Sequence, residues 1–166
     1  MTTRPETAAE VPRIAAMIDR AFAGHPHSHG TEAAIVRELR AAGALSVSLV
    51  CELDGEVLGY VAASPVRIDG VAAPWFGLGP VAVEPKYQRR GLGSRLITDC
   101  LAALRSRSAP GCVVFGSPAY YSRFGFAPID GLVLPGLPAE FFMAQSFDGS
   151  RPTGAVRYHP AFDTGA

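Results

Sequence analysis

The densest chemistry in the chain lies in the run Val-Ala-Val-Glu-Pro-Lys-Tyr-Gln-Arg-Arg-Gly-Leu-Gly-Ser, residues 81 to 94. An extended apolar run enters a turn there, and Gly91 and Gly93 open directly onto a helical apolar stripe. The start of a helix leaves several amides unpaired, with the positive end of the helix dipole behind them, which suits a phosphate. Two glycines let an anion approach the backbone where a Cβ would intrude, and Lys86, Arg89, Arg90 and Arg95 add cations nearby. The same pattern also describes a glycine-capped surface loop with arginines in water. Two phosphate motifs fail on residue identity. A P-loop requires a glycine–lysine pair, which the chain lacks, and a dinucleotide fingerprint requires a third glycine where Leu96 stands.

Other residues of chemical type are less concentrated. His25, His27 and His29 alternate on a loop with only Glu32 as a nearby carboxylate, so no metal is expected there. Cys51, Cys100 and Cys112 are odd in number and show no C-x-x-C spacing, which argues against a disulfide framework or a zinc site.

The elements that must hold the glycine turn follow from periodicity. Thr7 and Glu10 have capping-box spacing, and Val11, Ile14, Ala15, Ile18 and Phe22 recur as on a helix over about 8–23. Thr31 is placed to cap a second helix with Ile35, Leu39 and Ala42 on one face. The period then changes to two, with Val47, Leu49, Cys51 and Leu53 forming a strand. Asp54-Gly55 and Asp69-Gly70 separate this strand from runs at 57–68 and 71–83, which predicts a three-stranded antiparallel meander joined by type I′ turns. A helix over about 91–107 follows, then a buried strand at Val113–Phe115, expected to lie parallel to the strand before the helix. Ser117-Pro118 starts a short helix that Gly125 ends. Two further strands, Glu140–Phe147 and Ala155–Tyr158, flank Asp148-Gly149. The expected fold is α+β: a mixed, mostly antiparallel sheet with flanking helices, in a single domain over 1–166.

Composition narrows the function classes. Of 166 residues, 48% are hydrophobic and 18% charged, enough to bury a core and too few charges for disorder. Fifteen basic residues offset fifteen acidic ones, which counts against a nucleic-acid partner held by bulk electrostatics. No apolar run approaches the ~18 residues of a membrane span, so no membrane partner and a cytoplasmic setting are expected.

The glycine turn and what surrounds it resemble the GNAT N-acetyltransferase superfamily, whose acetyl-CoA signature reads Q/R-x-x-G-x-G/A. Here Gln88-Arg89-Arg90-Gly91-Leu92-Gly93-Ser94 stands in that place. Gly77-Leu78-Gly79-Pro80-Val81-Ala82-Val83 and Tyr120-Tyr121-Ser122-Arg123-Phe124-Gly125-Phe126 look like its YhbS-type branch. The resemblance covers about 5–128 well and the tail weakly. It implies an acetyl-CoA-dependent N-acetyltransferase that moves the acetyl group to a primary amine by direct attack in a ternary complex, with no metal. A non-catalytic acyl-CoA sensor on the same fold is the alternative.

Carried over residue by residue, the loop from Gln88 to Ser94, with Arg89, Arg90, Gly91, Leu92 and Gly93 between, would hold the CoA pyrophosphate. Val81 and Val83 would offer backbone groups to the pantetheine arm and the acetyl carbonyl. Gly77, Gly79 and Pro80 would break strand pairing to admit that arm. Tyr121 would act as the acid that protonates the departing thiolate, and Tyr120 would pack. The chain departs from the pattern at two points. The Asn often found ahead of the short helix has no counterpart, and the strand position where some relatives carry a Glu base is Gly77. Glu84 follows the strand and reads as a surface residue, leaving a water chain to serve as base. The histidine loop and Trp75-Phe76 are candidates for lining the acceptor site. A lysine-type amine costs about 4.6 kcal/mol to deprotonate at pH 7, against about 1.1 kcal/mol for an α-amino group. Without a carboxylate base, a small-molecule or α-amino acceptor is expected over a protein lysine.

Overall fold

A computed structural model describes residues 1–26 and 28–163. Its order is β1 (Thr2–Pro5), α1 (Val11–Phe22), α2 (Glu32–Ala41), β2 (Val47–Leu53), β3 (Glu56–Ile68), β4 (Val71–Val83), α3 (Leu92–Ser106) and β5 (Gly111–Phe115). There follow α4 (Pro118–Tyr121), β6 (Leu132–Val133), β7 (Phe142–Ser146) and β8 (Gly154–Arg157). Six strands run in the order β1-β2-β3-β4-β5-β7, antiparallel except for β4 against β5, and off this path β8 pairs antiparallel with β3 and parallel with β6. The two Asp-Gly hairpins are as expected. Asp54 and Gly55 have φ of 50° and 80°, and Asp69 and Gly70 have 52° and 75°, the two positive values a type I′ turn requires.

Both faces of the sheet are covered, which explains why Val57–Ser64 is buried without interruption. Ile14, Met17 and Ile18 of α1 pack on Val50, Tyr60, Ala62 and Ala82. On the opposite face α3 sets Leu96, Ile97, Cys100 and Leu104 against Val61, Ala63, Leu78 and Cys112. Alternate residues of β3 thus serve different helices, so a one-residue slip would exchange both cores at once.

Several local expectations change. The Thr7–Glu10 spacing closes a 3-10 turn that precedes α1, and Thr7 N–H donates to Glu10 Oε1 at 2.8 Å. Thr31 gives α2 no side-chain cap, and Ser28 Oγ instead bonds Glu32 Oε1 at 2.7 Å. Ser117 and Pro118 do start α4, but there the Ser117 carbonyl, not its hydroxyl, accepts from the amides of Tyr120 and Tyr121. The strands either side of Asp148-Gly149 do not pair with each other: β7 adds to β5, while β8 crosses to the tip of β3 at Arg67 and Ile68. β1 has no sequence signal, since Thr-Thr-Arg-Pro is short and alternates nothing; β2 recruits it by edge pairing.

Candidate active site

The sheet opens at one place. β4 and β5 pair only at Phe76–Cys112 and Gly77–Val113, then separate as β4 runs on to Val83 and β5 to Phe115. On its other edge β4 stays with β3 through a bulge: Val81 faces Val61 and Leu78 faces Ala63, leaving Gly79 and Pro80 to span a single residue. The Gly79-Pro80 peptide is cis. Past the bulge, Glu84 N–H donates to Leu58 O of β3 at 2.8 Å. The pleat alternates, so the amides and carbonyls of Val83 and Val81 point away from β3, toward the opening. The side-chain amide of Gln88 already uses one of them, donating to Val83 O at 3.0 Å. The strand end and the following turn are thereby tied together.

The turn itself needs left-handed backbone. Arg89 has φ of 62°, and Gly91, at φ 85°, precedes the first residue of α3. Gly91 carbonyl accepts from Arg95 N–H at 3.0 Å, so the amides of Leu92, Gly93 and Ser94 lie in the unpaired first turn. The two glycines serve different needs. Gly91 supplies the positive φ with open space around it, whereas a Cβ on Gly93 would stand 3.0 Å from the Tyr120 hydroxyl. Lys86, Arg89 and Arg90 are exposed beside the turn, and Arg90 lies over the Tyr87 ring at 5.4 Å.

α4 supplies the other side of the opening. Tyr120 and Tyr121 meet edge to face with centroids 5.1 Å apart, and Phe124 and Phe126 complete the cluster. Gly116 leaves the Tyr121 ring its room. Burial, and then the neighbouring Tyr120, push the Tyr121 phenol up to about 12, so it holds its proton at neutral pH. Tyr120 packs as expected, with Arg123 over its ring at 4.8 Å, but its hydroxyl also reaches the first turn of α3.

Other candidates fall into place. Glu84 is locked by Arg20, which holds its carboxyl below the usual carboxylate range. Trp75 is core, packed with Val66, Val113 and Phe142, and Phe76 lies under Arg107 at 5.4 Å. All three cysteines are buried and free, and burial raises their thiols, Cys100 to about 12. His25 meets Phe22 edge-on at 6.1 Å beside a cleft of about 280 Å³ that Asp19, Ser28 and Glu32 also line. His27 of the histidine run lies outside the described residues. Among the described residues no group of three or more His, Cys, Asp or Glu is placed to hold a metal, and no helix is long and apolar enough to cross a membrane. Tyr158, just past β8, and Ser64 on β3 also lie beside Gly77 and carried no sequence signal: one follows a short tail strand and the other interrupts an apolar run.

Residues 2–129 match the family model described as an acetyltransferase (GNAT) domain. The chain is 36% identical to the N-acetyltransferase YhbS of Escherichia coli K12 over 98% of its own length and 99% of that protein's. Among solved structures it is similar to a Brucella melitensis GNAT acetyltransferase in complex with acetyl-CoA, at TM-score 0.88 and 42% identity over 98% and 97% of the two chains. The E. coli YhbS crystal structure in complex with CoA gives TM-score 0.86 at 34% identity, over 99% and 93%. A chain matched to this extent in sequence and in fold belongs to the GNAT family of N-acetyltransferases.

Proposed function

We propose that this chain binds acetyl-CoA across the β4–β5 opening and transfers the acetyl group to a primary amine by direct attack in a ternary complex. The observation that carries this reading is the separation of β4 from β5 beyond Gly77, with outward-facing backbone on one side and Tyr121 on the other. The amides of Leu92, Gly93 and Ser94 take the pyrophosphate, with Gln88, Arg89, Arg90 and Gly91 shaping the turn that presents them. The outward groups of Val81 and Val83 pair with the pantetheine and hold the thioester carbonyl. Tyr121 gives its proton to the departing sulfur. With every cysteine thiol buried and raised, no thiolate is at hand for an acetyl-enzyme, which favours direct attack.

Glu84, held by Arg20, is a poor base, and position 77 carries no side chain. The acceptor is accordingly a small-molecule or α-amino group with an accessible neutral form. Mass spectrometry of an amine and peptide panel incubated with the protein and acetyl-CoA tests this. Acetylated product from small or α-amino amines is the expected result. Tight acetyl-CoA binding with no transfer to any member would instead identify an acyl-CoA sensor.

A further inference from the structure

Two hydroxyls beside the opening are buried without a hydrogen-bond partner among the described residues: Ser64 Oγ on β3 and Tyr158 Oη just past β8. Ser64 is 1% exposed and stands opposite Gly77 in the β3–β4 ladder. The Tyr158 ring lies over Gly77 itself, where a Cβ would come within 2.9 Å of its Cε2. Phe162 braces the ring edge-on with centroids 5.0 Å apart. Both hydroxyls therefore gather around the bare backbone of Gly77, the last residue of β4 paired with β5. The phenol of Tyr121 is near enough to interact electrostatically with that of Tyr158. A phenylalanine at 158 and an alanine at 64 would fill these places at less desolvation cost, since a buried hydroxyl without a partner is unfavourable.

Resting on the acetyl-transfer reading above, we propose that Tyr158 and Ser64 form the subsite for the reacting nitrogen of a neutral primary amine. Tyr158 Oη accepts a hydrogen bond from the amine N–H and so aims the nitrogen lone pair at the acetyl carbon, while Ser64 Oγ supplies a second polar contact. Two uncharged hydroxyls can solvate –NH2, whereas an ammonium would call for the carboxylate that position 77 lacks. In the reaction the N–C bond forms and the C–S bond breaks with its electron pair going to sulfur. Tyr121 hands its proton to sulfur and recovers one from the nitrogen. Tyr158 keeps its own proton throughout, and burial, which raises its phenol, agrees with that neutral role.

Tyr158→Phe and Ser64→Ala, compared with wild type, test the proposal. On whichever panel amine the wild type acetylates, Tyr158→Phe should lower kcat/KM for the amine by about ten-fold or more and leave the acetyl-CoA Kd within about two-fold. Retention of kcat/KM within about three-fold would overturn the subsite. A second readout needs no turnover: the [13Cζ]tyrosine resonance that disappears in Tyr158→Phe should move when acetyl-CoA is titrated into wild type. It should stay in place with adenosine 3′,5′-bisphosphate, which fills only the nucleotide end. Acetyl-CoA binding that leaves this resonance unmoved overturns the subsite alone. Failure of acetyl-CoA to bind overturns the acetyl-transfer reading and the subsite with it.

Discussion

Arg20 on α1 and Glu84 at the end of β4 form a two-pronged ion pair, with Nε to Oε1 and Nη2 to Oε2 both at 2.8 Å. The pair pins the first helix to the root of the glycine turn. Its arginine is 55% exposed, so solvent screening leaves its direct contribution to stability small. Its effect lies in where it holds the strand end.

Glu84→Gln should therefore shift the denaturation midpoint little and weaken acetyl-CoA binding by about three- to ten-fold. Turnover at saturating acetyl-CoA should stay close to wild type. Calorimetry and steady-state kinetics on the same preparation check this. A loss in kcat of about 10² or more would identify Glu84 as a base after all.

Tyr121→Phe removes the proton donor and leaves the aromatic cluster in place. Turnover should fall by about 10²-fold or more with acetyl-CoA affinity nearly unchanged. The phenol is raised to about 12, so the protonated, active form persists throughout the alkaline range usually assayed. Wild-type rates should accordingly rise with pH along the acceptor's ionisation and show no decline up to about pH 10. A descending limb near pH 8 would assign the acid to another group.

Gly93→Val should abolish CoA binding while the domain stays folded, because the new side chain meets Tyr120 at the first turn of α3 and leaves the buried stripe intact. The smaller change separates cause from accident. A Cβ alone would press on the Tyr120 hydroxyl at 3.0 Å and otherwise meet only Val83 Cγ2 at 3.7 Å. Gly93→Ala should weaken binding partially, and adding Tyr120→Phe should restore it. Calorimetric titration with CoA reads both. No rescue by the second change would mean that the alanine acts on the turn itself.

Stability should carry an acid-side signature from Glu10. Arg4 donates to both of its carboxylate oxygens, at 2.9 and 2.6 Å, and holds it down to about 2 despite burial. The folded value lies below the unfolded one, so the stabilisation is fully present above about pH 4.3 and is lost as pH falls through the folded value. Chemical denaturation at pH 6 and pH 3 should show Glu10→Gln closing the gap to wild type at the lower pH. A gap that does not change with pH would remove Glu10 from acid sensitivity.

What could be read in the chain, and what could not, follows how local the information is. The Asp-Gly turns, the α3 stripe and the glycine turn depend on neighbours a few residues apart, and each took its expected form. The break in β4 was legible in part: Gly79 and Pro80 bulge out of register, as such residues do, whereas Gly77, expected to share in the break, stays paired with Ser64 and Val113. Caps were less legible. Thr31 and Ser117 occupy cap positions, but their hydroxyls do not make the bonds that residue type suggests. The tail was least legible, because β8 pairs with Arg67 and Ile68, far away in sequence, and no local pattern records that choice. Tyr158 reaches Gly77, and the proposed amine subsite, by that route.

The crossing of β8 to the tip of β3 brings two separate parts of the chain to one sheet. The parts proposed to handle the thioester fall within one continuous stretch, from β4 to α4, inside the family match that ends at residue 129. The wall facing the amine is assembled from distant pieces, Ser64 before that stretch and Tyr158 well after it. A substitution in the tail can thus change which amine is accepted while the donor apparatus between β4 and α4 stays unaltered.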